Sequence, residues 1–185
     1  MNHNRKLAER LVEIDLLDRA AELLAQLQIE RPILIGHSDG GTIALLHASR
    51  HPVQACVVLA PHVRVEDISI ASIQTAQEQY LKGDLRVRLS RFHADVDVAF
   101  WQWNDVWLSD AFRAFDIREE CRRILSPVLA IQGEDDAYGS LRHLTELHTA
   151  STVQREVLSK CGHSPHRDQP AQSLALIQAF LNQWP

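Results

Sequence analysis

Apolar residues fall at Leu7, Leu11, Ile14, Leu17, Leu24 and Leu27, at steps of three, four and seven, with Glu9, Glu13, Asp18 and Glu22 off the stripe. This spacing predicts an amphipathic helix. Glu30-Arg31-Pro32 breaks the pattern, and Pro32 to Gly36 is a continuous apolar run. Such a run reads as a strand buried on both faces, as in a parallel sheet. Asp39 to Arg50 returns to a helical pattern and ends at His51-Pro52. Gln54 to Ala60 predicts a second buried strand stopped by Pro61, Pro127 to Gln132 a third, and Val153 to Leu158 a weaker fourth. Leu141 to His148 and Pro170 to Leu181 read as helices, and Pro170 suits a first helical turn. Strands alternating with helices predict a mainly parallel sheet in three α/β/α layers.

Residues 64–125 break this alternation. They hold no strong strand run, and eight of the eleven aromatic residues lie between Tyr80 and Phe115. The chain is therefore expected to have a core of residues 1–63 and 126–185 with a helical insertion at 64–125.

Composition narrows the function classes. The 185 residues suffice for one domain with a core, and 45% hydrophobic with 23% charged residues is ordinary for a globular protein. A net charge of −5 without clustered Lys and Arg argues against a nucleic-acid surface. No run approaches a membrane span, and the charged first thirty residues do not read as a secretory signal. Cys56, Cys121 and Cys161 are odd in number and lack C-x-x-C spacing, so a disulfide framework is not expected and a cytoplasmic location is.

Glycine is scarce, at seven residues, and its placement is informative. Gly36-His37-Ser38-Asp39-Gly40-Gly41 matches G-x-S-x-G between a predicted strand and a predicted helix, the setting of a nucleophile elbow. Such a turn needs small residues two before and two after the serine, here Gly36 and Gly40. It lifts the Ser38 hydroxyl above the sheet, beside the free N–H groups of a helix start. A serine hydroxyl needs a general base, and His163, in the loop Cys161-Gly162-His163-Ser164-Pro165-His166, is the best placed. The base needs an acid, and Gly133-Glu134-Asp135-Asp136 offers three carboxylates after the third strand.

The elbow GHSDGG, the strand and turn PVLAIQGEDD and the loop CGHSPHRDQP stand in the order of the α/β-hydrolase family, which the chain resembles over most of residues 5 to 182. The resemblance implies Ser38 as nucleophile, His163 as base in preference to His166, and Asp136 as acid, with Asp135 as the fallback. It implies an oxyanion hole that includes the backbone N–H of Asp39, and a cap formed by residues 64–125. It implies a serine hydrolase working through an acyl-enzyme on a carboxylic ester or related carbonyl compound. C–C cleavage beside a carbonyl and acyl transfer suit the same groups, and no cofactor is needed.

Family members carry several strands before the elbow strand, together with a loop that gives the second oxyanion donor. Only one helix pattern precedes it here. The chain is thus expected to be an N-terminally shortened hydrolase whose Ile33-Leu34-Ile35 edge pairs with a second copy. The competing expectation is a hydrolase-like fragment, non-catalytic or impaired by the missing strands, serving binding or assembly.

Lesser candidates surround these residues. Trp103 and Trp107, four apart, are expected to share a helix face and line an apolar acyl or aryl pocket, or simply to pack the insertion. His62, at a strand end, is a candidate substrate contact, though a capped surface position is the plainer reading. His37, inside the elbow, is a packing residue that borders the same pocket. His163, His166 and Asp168 do not form a strong metal-ligand pattern, so no metal is expected, and His166 or Asp168 is expected to brace the loop.

Overall fold

The structure is a computed structural model that describes residues 19–184. A helical stretch at 19–26 (α1) ends the first predicted helix, whose earlier part lies outside the described residues. Then follow β1 (Ile33–His37), α2 (Asp39–Ala48) and β2 (Ala55–Leu59). Four helices lie between β2 and the next strand: α3 (Asp67–Lys82), α4 (Leu85–Leu89), α5 (Val96–Leu108) and α6 (Arg118–Cys121). The chain closes with β3 (Val128–Gly133), α7 (Arg142–Thr145), β4 (Val153–Leu158), α8 (Pro165–Asp168) and α9 (Pro170–Leu181). The helix expected at 141–148 is a single short turn, α7, with Leu141 at its N-cap.

All strand pairs are parallel, in the order β1-β2-β3-β4. Alternation along β2 and β3 sends side chains to two cores. Cys56, Val58, Val128 and Ala130 face α2, α6 and α7, packing on Leu45, Leu46, Cys121, Leu144 and Leu147. Ala55, Val57, Leu59, Leu129 and Ile131 face α9 and pack on Phe180. The result is helix, sheet, helix, with β2 and β3 buried along their whole length.

The strand β1 departs from the expectation of burial on both faces. Leu34 packs toward the α2 core, but Ile33 and Ile35 are 40% and 57% exposed. Their register with Ala55 and Val57 puts them on the α9 face of the sheet. Among the described residues, the α9 core draws on β2 and β3 and takes in no β1 side chain. Among the described residues, β1 has one strand neighbour.

The helical stretch between β2 and β3 has small cores of its own. Ile70, Ile73 and Trp107 form one with Trp103, Phe112 and Tyr138 around it, and Tyr80, Val96 and Phe100 form another. Among the described residues, no helix is long and apolar enough to cross a membrane. The three cysteines are buried, and burial pushes the thiols of Cys56 and Cys121 up to about 12, so these two act as apolar packing groups.

Candidate active site

The site lies at the C-terminal ends of the strands, where the parallel ladder runs into the loops. Ser38 N–H donates to Leu59 O at 2.9 Å, Ala60 N–H to Ile131 O at 2.8 Å and Glu134 N–H to Leu158 O at 2.9 Å. Each strand thus hands its last contact to the next, and the three loops that follow β1, β3 and β4 meet above the sheet.

Ser38 sits between β1 and α2 with φ 54° and ψ −123°. A non-glycine residue in this positive-φ region costs on the order of 1–3 kcal/mol. The bend is tight because a Cβ at position 36 would stand 2.2 Å from Gly40 O. Gly36 is therefore required. Gly40 is not: a Cβ there meets open space, and the close approach falls instead on Gly41, 3.3 Å from the Pro61 side chain. The expectation of two obligatory small residues flanking Ser38 is corrected to one, because a Cβ at Gly36 would meet the Gly40 backbone while one at Gly40 would meet nothing.

The loop after β3 and the loop after β4 are held together by a second close approach. A Cβ at Gly133 would lie 2.1 Å from Gly162 O and 2.3 Å from Cys161 O. Asp135 N–H donates to Cys161 O at 2.9 Å, while its side chain is exposed. Asp136 turns inward instead. Its Oδ1 and Oδ2 lie 3.0 and 2.9 Å from His163 Nδ1, and His163 Nε2 lies 2.8 Å from Ser38 Oγ. The carboxylate also accepts from Tyr138 N–H at 2.8 Å and from the Gln132 side-chain amide. With Nδ1–H directed at Asp136, Nε2 is left as the acceptor for the Ser38 hydroxyl proton. The N–H of Asp39, in the first turn of α2, has no acceptor within its own helix.

The remaining candidates are distributed around this chain of contacts. His37 Nε2 donates to His163 O at 2.7 Å, and its ring touches those of His163 and His166. His37 thus holds the backbone of the loop that carries His163, and burial lowers its pKa. His166 packs on His37, and Asp168 Oδ2 accepts from Gly162 N–H at 2.9 Å. These two fix the loop, and among the described residues no group of three His, Cys, Asp or Glu side chains is placed to hold a metal. His62 is 3% exposed, which corrects the surface reading: the segment after β2 is overlaid by Trp107 and His143.

A cavity of about 360 Å³ opens on Ser38 and His163, lined among others by His37, His62, Ile73, Trp103 and Trp107. Trp107 Nε1 donates to Asp39 Oδ2 at 3.3 Å, tying α5 to the elbow helix. Burial raises the Asp39 pKa, and the Trp107 hydrogen bond opposes the rise. Sequence reasoning missed Gln132, Tyr138 and Ser69. Tyr138 packs its ring at 4.7 Å on that of His163, and Ser69 lines the cavity while donating to Tyr138 O. A polar Gln at the end of an otherwise apolar strand was the one available signal.

Known proteins share this arrangement of elements. The model of a family described as "Alpha/beta hydrolase family" matches residues 6–176. A 2-succinyl-6-hydroxy-2,4-cyclohexadiene-1-carboxylate synthase from Enterobacter sp. (strain 638) is 26% identical, over 89% of this chain and 73% of the relative. Among solved structures, a meta-cleavage product hydrolase from Pseudomonas fluorescens IP01 superposes with a TM-score of 0.68 at 19% identity, covering 92% of this chain and 72% of that one. A proline iminopeptidase from Mycobacterium smegmatis gives 0.64 at 18% identity, covering 90% and 70%. At such identities the structural likeness is one of fold, and the match over residues 6–176 carries the assignment. The chain belongs to the α/β-hydrolase family.

Proposed function

We propose that this chain is a serine hydrolase that cleaves a small carboxylic ester, or a related carbonyl compound with an apolar acyl or aryl part, through an acyl-enzyme. The observation that carries this reading is the unbroken path Asp136–His163–Ser38, at 2.9 and 2.8 Å, ending on a cavity walled by Ile73, Trp103 and Trp107. Ser38 Oγ attacks the carbonyl carbon while His163 Nε2 takes its proton. The carbonyl oxygen gains the negative charge beside the N–H of Asp39. His163 then gives the proton to the departing alkoxide. Water attacks the acyl group, passes a proton through His163 to Ser38, and frees the acid. Asp136 keeps the imidazole in the productive tautomer and balances its transient charge. Residues 64–125 serve as the cap, with Trp107 anchoring it through Asp39. The same three groups suit cleavage of a C–C bond beside a carbonyl and acyl transfer.

A fluorophosphonate probe tests this reading. The expected result is one adduct on Ser38 that is absent in His163→Ala. Folded protein that takes up no probe would instead support the binding or assembly role.

A further inference from the structure

The cavity is lined by Ile73 and the two indoles and by several polar groups, some of which are engaged elsewhere. Ser38 and His163 face each other, Ser69 Oγ donates to Tyr138 O, and His37 Nε2 is spent on His163 O. His62 is different. Its main chain is fixed on the elbow helix: Thr42 Oγ1 donates to His62 O at 2.9 Å and accepts from His62 N–H at 3.1 Å. Its ring is clamped by Trp107 at 4.8 Å and His143 at 5.1 Å, and lies 5.7 Å from the His163 ring. His143 is itself held: its Nδ1 accepts from Val63 N–H, its Nε2 faces Glu66, and a Cβ at Gly139 would strike its ring at 2.6 Å.

This clamped ring makes no side-chain hydrogen bond among the described residues. Nδ1 is sealed with no partner, which leaves Nε2 as the nitrogen available to the cavity that His62 lines. A sealed N–H without a partner is rarer in native structures than a sealed acceptor, so the proton belongs on Nε2. The side chain then presents an N–H donor to the pocket that Ser38, Tyr138 and Ser164 also line. Burial and the imidazoles of His143, His163 and His37 around it keep the ring neutral.

We infer that His62 is a specificity-determining residue that donates a hydrogen bond to an acceptor oxygen of the substrate other than the scissile carbonyl, so that the preferred ester carries an ether, keto or hydroxyl oxygen a few bonds from it. This rests on the hydrolase reading for what the pocket binds. A buried donor that meets carbon in place of oxygen is left unpaired, and the site rejects that analogue.

Binding to Ser38→Ala protein separates the two claims, because it reads affinity for the ester apart from any attack by Ser38, and turnover remaining in that variant counts against the hydrolase reading alone. Two isosteric pairs put oxygen in place of a methylene on either side of the scissile bond: phenyl methoxyacetate against phenyl butyrate, and 2-methoxyphenyl acetate against 2-ethylphenyl acetate. In at least one pair the oxygen-bearing ester is expected to bind about tenfold tighter. Adding His62→Leu should erase that ratio, as should His62→Phe, which keeps a ring against Trp107 should the leucine variant fail to fold. Equal binding within both pairs, or a preference that survives in a folded His62 variant, overturns the assignment. Failure of the hydrolase reading shows separately, as missing fluorophosphonate labelling of the wild-type protein.

Discussion

The two halves of the candidate site are built to different standards. Asp136 hangs from β3, where Val128, Leu129, Ala130 and Ile131 are wholly buried; His163 hangs from β4, an edge strand among the described residues with Val157 47% exposed, but its loop touches the β3 loop backbone to backbone at Gly133. Ser38 hangs from β1, whose Ile33 and Ile35 lie open and which has one strand neighbour among the described residues. Asp136 is positioned by a buried strand, and His163 by the contact of its loop with that strand's end. Ser38 is positioned by a strained bend, by the Leu59 carbonyl, by its neighbour His37 reaching out to the His163 backbone, and by Trp107 reaching across from α5 to Asp39. A site whose members come from unequally supported strands depends on such cross-links, and these are the contacts to break.

The largest effects should come from the reacting groups. Ser38→Ala is expected to lower kcat on p-nitrophenyl acetate by roughly 10⁴- to 10⁶-fold with circular dichroism unchanged. Turnover retained above background would remove Ser38 from its role. Asp136→Asn should cost roughly 10⁴-fold, because an amide favours the wrong imidazole tautomer.

Trp107→Ala tests the bridge from the helical segment to the elbow. Loss of a 3%-exposed indole should destabilise the protein by about 3–5 kcal/mol in urea titration. Gly133→Ala tests the better-packed half. Its methyl would collide with Gly162 O, so a loss of about 1–3 kcal/mol is expected, together with a fall in kcat as the His163 loop shifts.

The smallest effect is pH-dependent. His37, His62 and His143 have pKa values lowered by burial from the ordinary 6.5, so the unfolded chain takes up protons first as pH falls. Their contribution is whole above pH 6.5 and is lost as pH drops toward the lower folded values. Tm should therefore fall between pH 7 and pH 5, and His62→Leu should flatten that fall; an unchanged slope would contradict the sign. The open face and edge of β1 also predict self-association by light scattering, reduced by Ile35→Lys, and a monodisperse monomer would count against it.

Much of this could be read along the chain, and what could not has a common cause. The elbow was legible because glycine is scarce and falls on a strand–helix junction, and the four strands were legible as apolar runs. The inward turn of Asp136 against the outward turn of Asp135 needed only the family's spacing. The open face of β1 was hidden, because an apolar run records what a side chain prefers and not what covers it. The burial of His62 was hidden for the converse reason: it depends on Trp107, forty-five positions away, folding over it. Tyr138 is not marked by any local pattern, because it acts through its backbone N–H on a carboxylate, and Gln132 is marked only by its polarity within an apolar strand.

The Trp107 indole is shut away from water, hydrogen-bonded to Asp39 and edge-on to His62. An indole so placed is shielded from solvent on the wall of the cavity that Ser38 and His163 share, so a ligand entering that cavity comes against it directly.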